Sequence, residues 1–120
     1  MITEVNSLVA LDSLLALLRQ RVEQGVGEDE FNLITRAIEL INERRPVFKD
    51  EEMAVYYVAA DEPSRAPYRV TVNSCTCPRS NERLCKHRLL VAALEGASVD
   101  TSGFTYTRRT KRQEEIKEAV

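Results

Sequence analysis

All three cysteines of this chain and its only histidine fall within 13 consecutive positions, as Cys75-x-Cys77, seven residues, then Cys85-x-His87. Three thiolates and one imidazole are a common donor set for structural zinc, which takes four soft or borderline ligands in a tetrahedron. An odd, clustered set of cysteines does not suit a secreted disulfide scaffold, which spreads an even number along the chain. The expected compartment is therefore reducing and intracellular. In a strand, residues i and i+2 point to one face, so a bend after Cys77 aims both sulfurs at one point. Pro78 and the polar residues behind it suit a chain leaving a strand there. A Cys-x-His pair cannot point one way from regular helix, so Cys85 belongs just before a first turn and His87 inside it. A buried, unliganded cysteine and a nucleophilic Cys–His pair are the alternatives. The first ignores the coincidence of four donors, and the second leaves two cysteines unused and has no evident orienting group. The spacing thus points to one structural zinc ion held by Cys75, Cys77, Cys85 and His87.

The rest of the chain divides into a helical first half, a mixed centre and a polar end. Leu8, Leu11, Leu15, Leu18 and Val22 recur at spacings of 3, 4, 3 and 4, the rhythm of one helix face, with Leu14 and Leu17 widening the stripe. Thr3 is the expected N-cap, and Gly25 and Gly27 end the helix. A second helix is expected over 28–45. Glu28, Asp29 and Glu30 occupy its first turn, Arg44 and Arg45 its last, and Pro46 closes it. Phe31, Ile34, Ile38 and Ile41 form its seam, flanked by Leu33, Ala37 and Leu40. Met53 to Ala60 is rich in β-branched and aromatic residues and reads as a strand. Tyr68, Val70 and Val72 alternate with polar residues, giving a second strand that runs into Cys75. A third helix is expected from about Cys85 to Gly96, with His87, Leu90, Val91 and Leu94 on one face. The expected class is α+β: a helical hairpin over 1–50, a small ββα zinc-binding module over 51–96, and a polar, charged tail over 97–120.

The run YRVTVNSCTCP from Tyr68, followed by LCKHRLLVAAL from Leu84, resembles the SWIM zinc finger. The resemblance covers about residues 52–96. It lies in the Cys-x-Cys, spacer, Cys-x-His order, in the proline after the second cysteine, and in the Cys-Lys-His triplet entering an apolar helix. It implies a ββα zinc module with Cys75, Cys77, Cys85 and His87 as the ligands, in a family whose usual role is binding DNA or another protein.

Charge is divided along the chain: residues 1–60 carry 11 acidic and 6 basic residues, and residues 61–120 carry 8 and 11. Overall net charge is -2, which does not suit a nucleic-acid binder basic throughout, but leaves a local basic face. Arg79, Arg83, Lys86 and Arg88 surround the donors and are candidate phosphate contacts. They are equally candidates for solvated surface or for hydrogen bonds around the thiolates. Arg108, Arg109, Lys111 and Arg112 follow Phe104 and Tyr106, a second candidate nucleic-acid patch or a mixed-charge helix end. The leading expectation is a DNA-binding zinc module. The other is a protein-interaction adaptor with a purely structural zinc, including a homodimer through residues 5–45. Catalysis is not expected. No phosphate-cradling glycine loop is present, the histidine is committed to metal, and four protein ligands leave no place for an activated water. Neither a small-molecule substrate nor a membrane partner is expected. No apolar stretch approaches the ~20 residues that span a bilayer, and no basic, apolar and small-residue leader opens the chain.

Overall fold

Two features of the first fifty residues set the architecture: a tripeptide that pairs as a strand before any helix begins, and a proline that ends the second helix into another strand. The computed structural model describes residues 1–62, 64–78 and 84–97. Strand β1 (Ile2–Glu4) leads to a 3₁₀ turn (Ser7–Ala10), α1 (Leu11–Glu23), α2 (Glu28–Asn42), β2 (Val47–Asp50), β3 (Val55–Val58), β4 (Tyr68–Val70) and α3 (Lys86–Glu95). The four strands form one antiparallel sheet in the order β1-β2-β3-β4. The class is α+β with an N-terminal helical hairpin, as expected. None of the helices is long and apolar enough to cross a membrane among the described residues.

Several local expectations need correction. Thr3 does not cap a helix; it lies in β1 opposite Lys49. The cap is Asn6, whose side chain accepts from the Leu8 amide at 3.1 Å and starts the 3₁₀ turn. Helix α2 stops at Asn42 rather than 45, because Arg44 adopts φ 59 and the Arg45 amide donates back to Leu40 O. That bond and Arg44 N to Ile41 O complete a Schellman end with arginine where glycine is usual. The chain then emerges already extended, and Val47–Asp50 pairs on both sides as β2. β4 ends at Val70, two residues sooner than the apolar alternation suggests.

The sheet and the three helices share one core. It combines Leu14, Ile34, Ala37, Leu40 and Ile41 from the hairpin with Val47, Tyr56, Val58 and Val70 from the sheet, and Leu89, Leu90 and Val91 from α3. Helix α2 packs on both α1 and α3, which accounts for its wide apolar stripe. The hairpin is also joined by a buried ion pair, Arg21 Nε to Glu30 Oε2 at 2.7 Å. The helical first turn of α2 places Glu30 inward, and Arg21 from α1 reaches it where an unpaired carboxylate would be costly. The far end of α3 is held to the sheet by Tyr56, whose hydroxyl donates to Glu95, with Lys49 3.7 Å from the same carboxylate.

On α1 the sequence rhythm and the packing part company. Leu14 is 1 % exposed, whereas Leu15 and Val22 are 40 % and 51 % exposed, and Leu8 of the preceding 3₁₀ turn is 60 % exposed. The helix rests on the core through Leu14, with Leu11, Leu17 and Leu18 partly buried against it and Ala10 of the 3₁₀ turn beside them. Within the expected seam, Leu15 and Val22 are turned outward, while Leu11 and Leu18 are half-buried against the core.

Candidate metal centre

The first donor pair is aimed by a turn, not by a continuing strand. After Val70 the chain reverses through 71–74. The Thr71 hydroxyl accepts from the Asn73 and Ser74 amides at 3.1 and 3.0 Å, and the Thr71 amide donates to Ser74 O at 2.8 Å. The reversal lays Cys75 antiparallel against Val70. The Thr76 amide donates to Arg69 O, and the Arg69 amide donates to Thr76 Oγ1. With Thr76 facing out, Cys75 and Cys77 fall on the inner side; Cys77 is buried.

The second pair is aimed by the start of α3. Cys85 is extended, at φ -120 and ψ 169, and is the N-cap; its sulfur accepts from the Arg88 amide at 3.5 Å. His87 sits in the first turn, 3 % exposed. Tyr68 tilts against its imidazole, ring centres 4.8 Å apart, and so fixes the ring plane from the strand side. This is the placement that the Cys-x-His spacing demands. β3, β4 and α3 supply the ββα arrangement around it.

One donor atom from each of Cys75, Cys77, Cys85 and His87 lies within 4.8 Å of every other. Sulfurs around tetrahedral zinc, each about 2.3 Å from the ion, stand about 3.8 Å apart. A shift of about 1 Å or less therefore closes the cluster on a metal. His87 Nε2 is buried with no hydrogen-bond partner, while Nδ1 is 3.9 Å from the Cys85 sulfur. A buried polar atom without a partner is costly, and three thiols and an imidazole this close together are a donor set that a cation suits. The residues fit zinc by number, type and reach.

The thiols are tuned against one another. Cys85 donates to Cys75, which pushes Cys85 up to about 12, with burial adding to the effect. The same hydrogen bond holds Cys75 below the ordinary thiol value, with the Cys77 amide donating to its sulfur at 3.4 Å. Zinc binds thiolates, so its uptake by this set releases protons.

The basic residues expected around the donors divide into two groups. Lys86 and Arg88 are described, and both make contacts within the chain. Lys86 Nζ lies 3.4 Å from Asp61 Oδ1, and Arg88 Nε donates to Val72 O at 3.0 Å. Arg88 thus ties the first turn of α3 to the turn that presents Cys75. Asp61 also pairs with Arg45 at 3.0 Å. Burial acts to raise its carboxyl, but Arg45 and Lys86 together hold it below the usual range. Arg79, Arg83, Arg108, Arg109, Lys111 and Arg112 lie outside the described residues. Beside the donors opens a cleft of about 530 Å³ whose walls include Arg36, Arg65 and Lys86 as well as Asp29, Asp61 and Glu62. With both signs of charge on its walls, it does not select an anion.

Sequence reasoning missed the supporting parts: Tyr68 against His87, Arg88 on Val72, and Asp61 on Lys86. Only Tyr68 had a legible signal, since it shares the inward face of its strand with Val70. No family model, curated protein or solved structure matches the chain.

Proposed function

We propose that this chain is a zinc-stapled interaction module of the kind its motif resembles, the SWIM finger, with a metal that is structural and a macromolecule as partner. The convergence of four donors within 4.8 Å of one another, with the His87 ring buried beside the cysteines, carries this reading. When bound, zinc supplies a crosslink between the turn after β4 and the start of α3. Four protein ligands would leave no position for substrate or an activated water, which supports a structural rather than a catalytic role for the site. Tyr68, Arg88 and the two amide–sulfur bonds orient the donors.

Of the two partner classes open from sequence, DNA and protein, the described surface supports protein. Lys86 and Arg88, the two described members of the basic set, are held by Asp61 and Val72. Helix α1 carries an outward apolar stripe. A titration of the zinc-loaded chain with duplex and single-stranded DNA at two salt concentrations tests the choice. Little binding at either salt is expected. Tight binding that falls steeply with salt would overturn the protein reading and direct attention to Arg79, Arg83 and the tail cations. Metal analysis should find one zinc per chain, and a chain that takes up none refutes the module itself.

A further inference from the structure

The outward stripe of α1 has a pattern of its own. Leu11, Leu15, Leu18 and Val22 of α1 keep a and d spacing, the repeat that packs one helix against another, and Leu8 precedes them in the 3₁₀ turn. The core of the chain uses the neighbouring arc, through Leu14 and Leu17. Leu11 and Leu18 are half-buried at the junction of the two arcs, and Leu8, Leu15 and Val22 face solvent. The apolar surface of α1 is thus wider than its intramolecular contact covers. On the solvent edge of the stripe stand Asp12 and Arg19, seven residues apart at the same heptad position, both exposed.

We infer that α1 pairs antiparallel with α1 of a second copy of this chain, Leu15 lying near the two-fold axis. In such a pair the same edge of the stripe meets itself with its direction reversed. Asp12 then lies against the partner's Arg19, and Arg19 against the partner's Asp12, so one acid and one base form two ion pairs. A parallel pair would set that edge against the opposite one. There Leu14 is buried in its own core and Arg21 is bonded to Glu30, so neither charge finds a counterpart. Opposite charges placed one heptad apart are therefore self-complementary in one orientation, which is what marks a second copy as the occupant. A helix of 13 residues is about 20 Å long. Two such stripes fall at the small end of specific interfaces, below about 1,200 Å². The pairing is accordingly of the weak, reversible class.

This inference rests on the reading of the chain as an interaction module, and names its partner. Sedimentation equilibrium of the zinc-loaded full chain from about 1 to about 500 µM tests it. A monomer–dimer equilibrium is expected, weakened more than about tenfold by Leu15→Glu, which sets two carboxylates together at the axis. Asp12→Arg or Arg19→Asp alone should weaken it about fivefold, and the double swap D12R/R19D should return it to within about twofold of the parent. That recovery cannot come from a merely structural role. A chain monomeric throughout overturns the inference, whatever covers the stripe instead. So does a dimer indifferent to Leu15→Glu, or a double swap no better than the single ones. Zinc content and DNA binding, measured on the same samples, report on the interaction-module reading separately. A zinc-loaded monomer that ignores DNA sinks the pairing and leaves that reading standing.

Discussion

Removing the metal should unfold this protein from one identifiable place. Among the described residues from 71 to 85, the only fully buried side chains are Cys77 and Cys85, both donors. The core elsewhere is filled by α1, α2, the sheet and the inward face of α3. Finger peptides bind zinc with about 10–16 kcal/mol of apparent free energy, which corresponds to a Kd on the order of 10⁻⁸ to 10⁻¹² M. At about 1 µM free zinc, linkage to the folded state then adds roughly 2–8 kcal/mol. A mid-range value of about 5 kcal/mol moves the Tm of a domain of about 100 residues by about 20 °C. Stripping zinc with a strong chelator should therefore lower the Tm by about that amount. Amide exchange should become fast first over 71–78 and the start of α3, while α2 and β2–β3 keep protection at low temperature. Calorimetry, hydrogen exchange and metal analysis of the same samples make the measurement. Confirmed metal loss with a Tm change under about 5 °C would falsify the structural role assigned to the four donors.

Three further outcomes follow from the packing. Leu14→Ala, at a site 1 % exposed, should cost about 3 kcal/mol, whereas Leu15→Ala, 40 % exposed, should cost under about 1 kcal/mol when measured by urea melts at low micromolar concentration. Equal costs would show that α1 is rotated from its described setting. Arg21→Met should cost about 3 kcal/mol because it removes the guanidinium from the buried Glu30 carboxylate, and adding Glu30→Leu should recover most of the loss. A double variant no more stable than the single one would contradict this. Tyr56 ionises above the usual phenol value, first because it is buried and then because it donates to the Glu95 carboxylate. Its contribution is fully present below pH ~10, where the unfolded phenol titrates, and is lost as pH rises further, since the unfolded chain then gives up a proton that the folded one keeps. Tyr56→Phe should cost about 1 kcal/mol at pH 8, and its difference from the parent should shrink above pH 10. A difference that grows with pH would reverse the assignment.

The four donors, the class of the fold and the order of its main helices were legible in the sequence because each depends on local chemistry. Cys-x-Cys and Cys-x-His spacings state which side chains can converge, and Gly96 at φ 71 ends α3 where the apolar period stops. The turn that aims Cys75, the ring that steadies His87 and the contacts that occupy Lys86 and Arg88 were not legible. They join residues 16 to 25 positions apart, or depend on a hydroxyl choosing a backbone partner. β1 and β2 were missed for a related reason. A three-residue strand has almost no period of its own and exists because Phe48, Lys49 and Asp50 offer it a ladder. The leucines of α1 show the division most clearly. Their heptad rhythm declared a helix with a wide apolar stripe, and that much is a property of the chain alone. Which arc of the stripe is core and which is surface was decided by where α2 and α3 sit, because a helix buries the side that its neighbours meet.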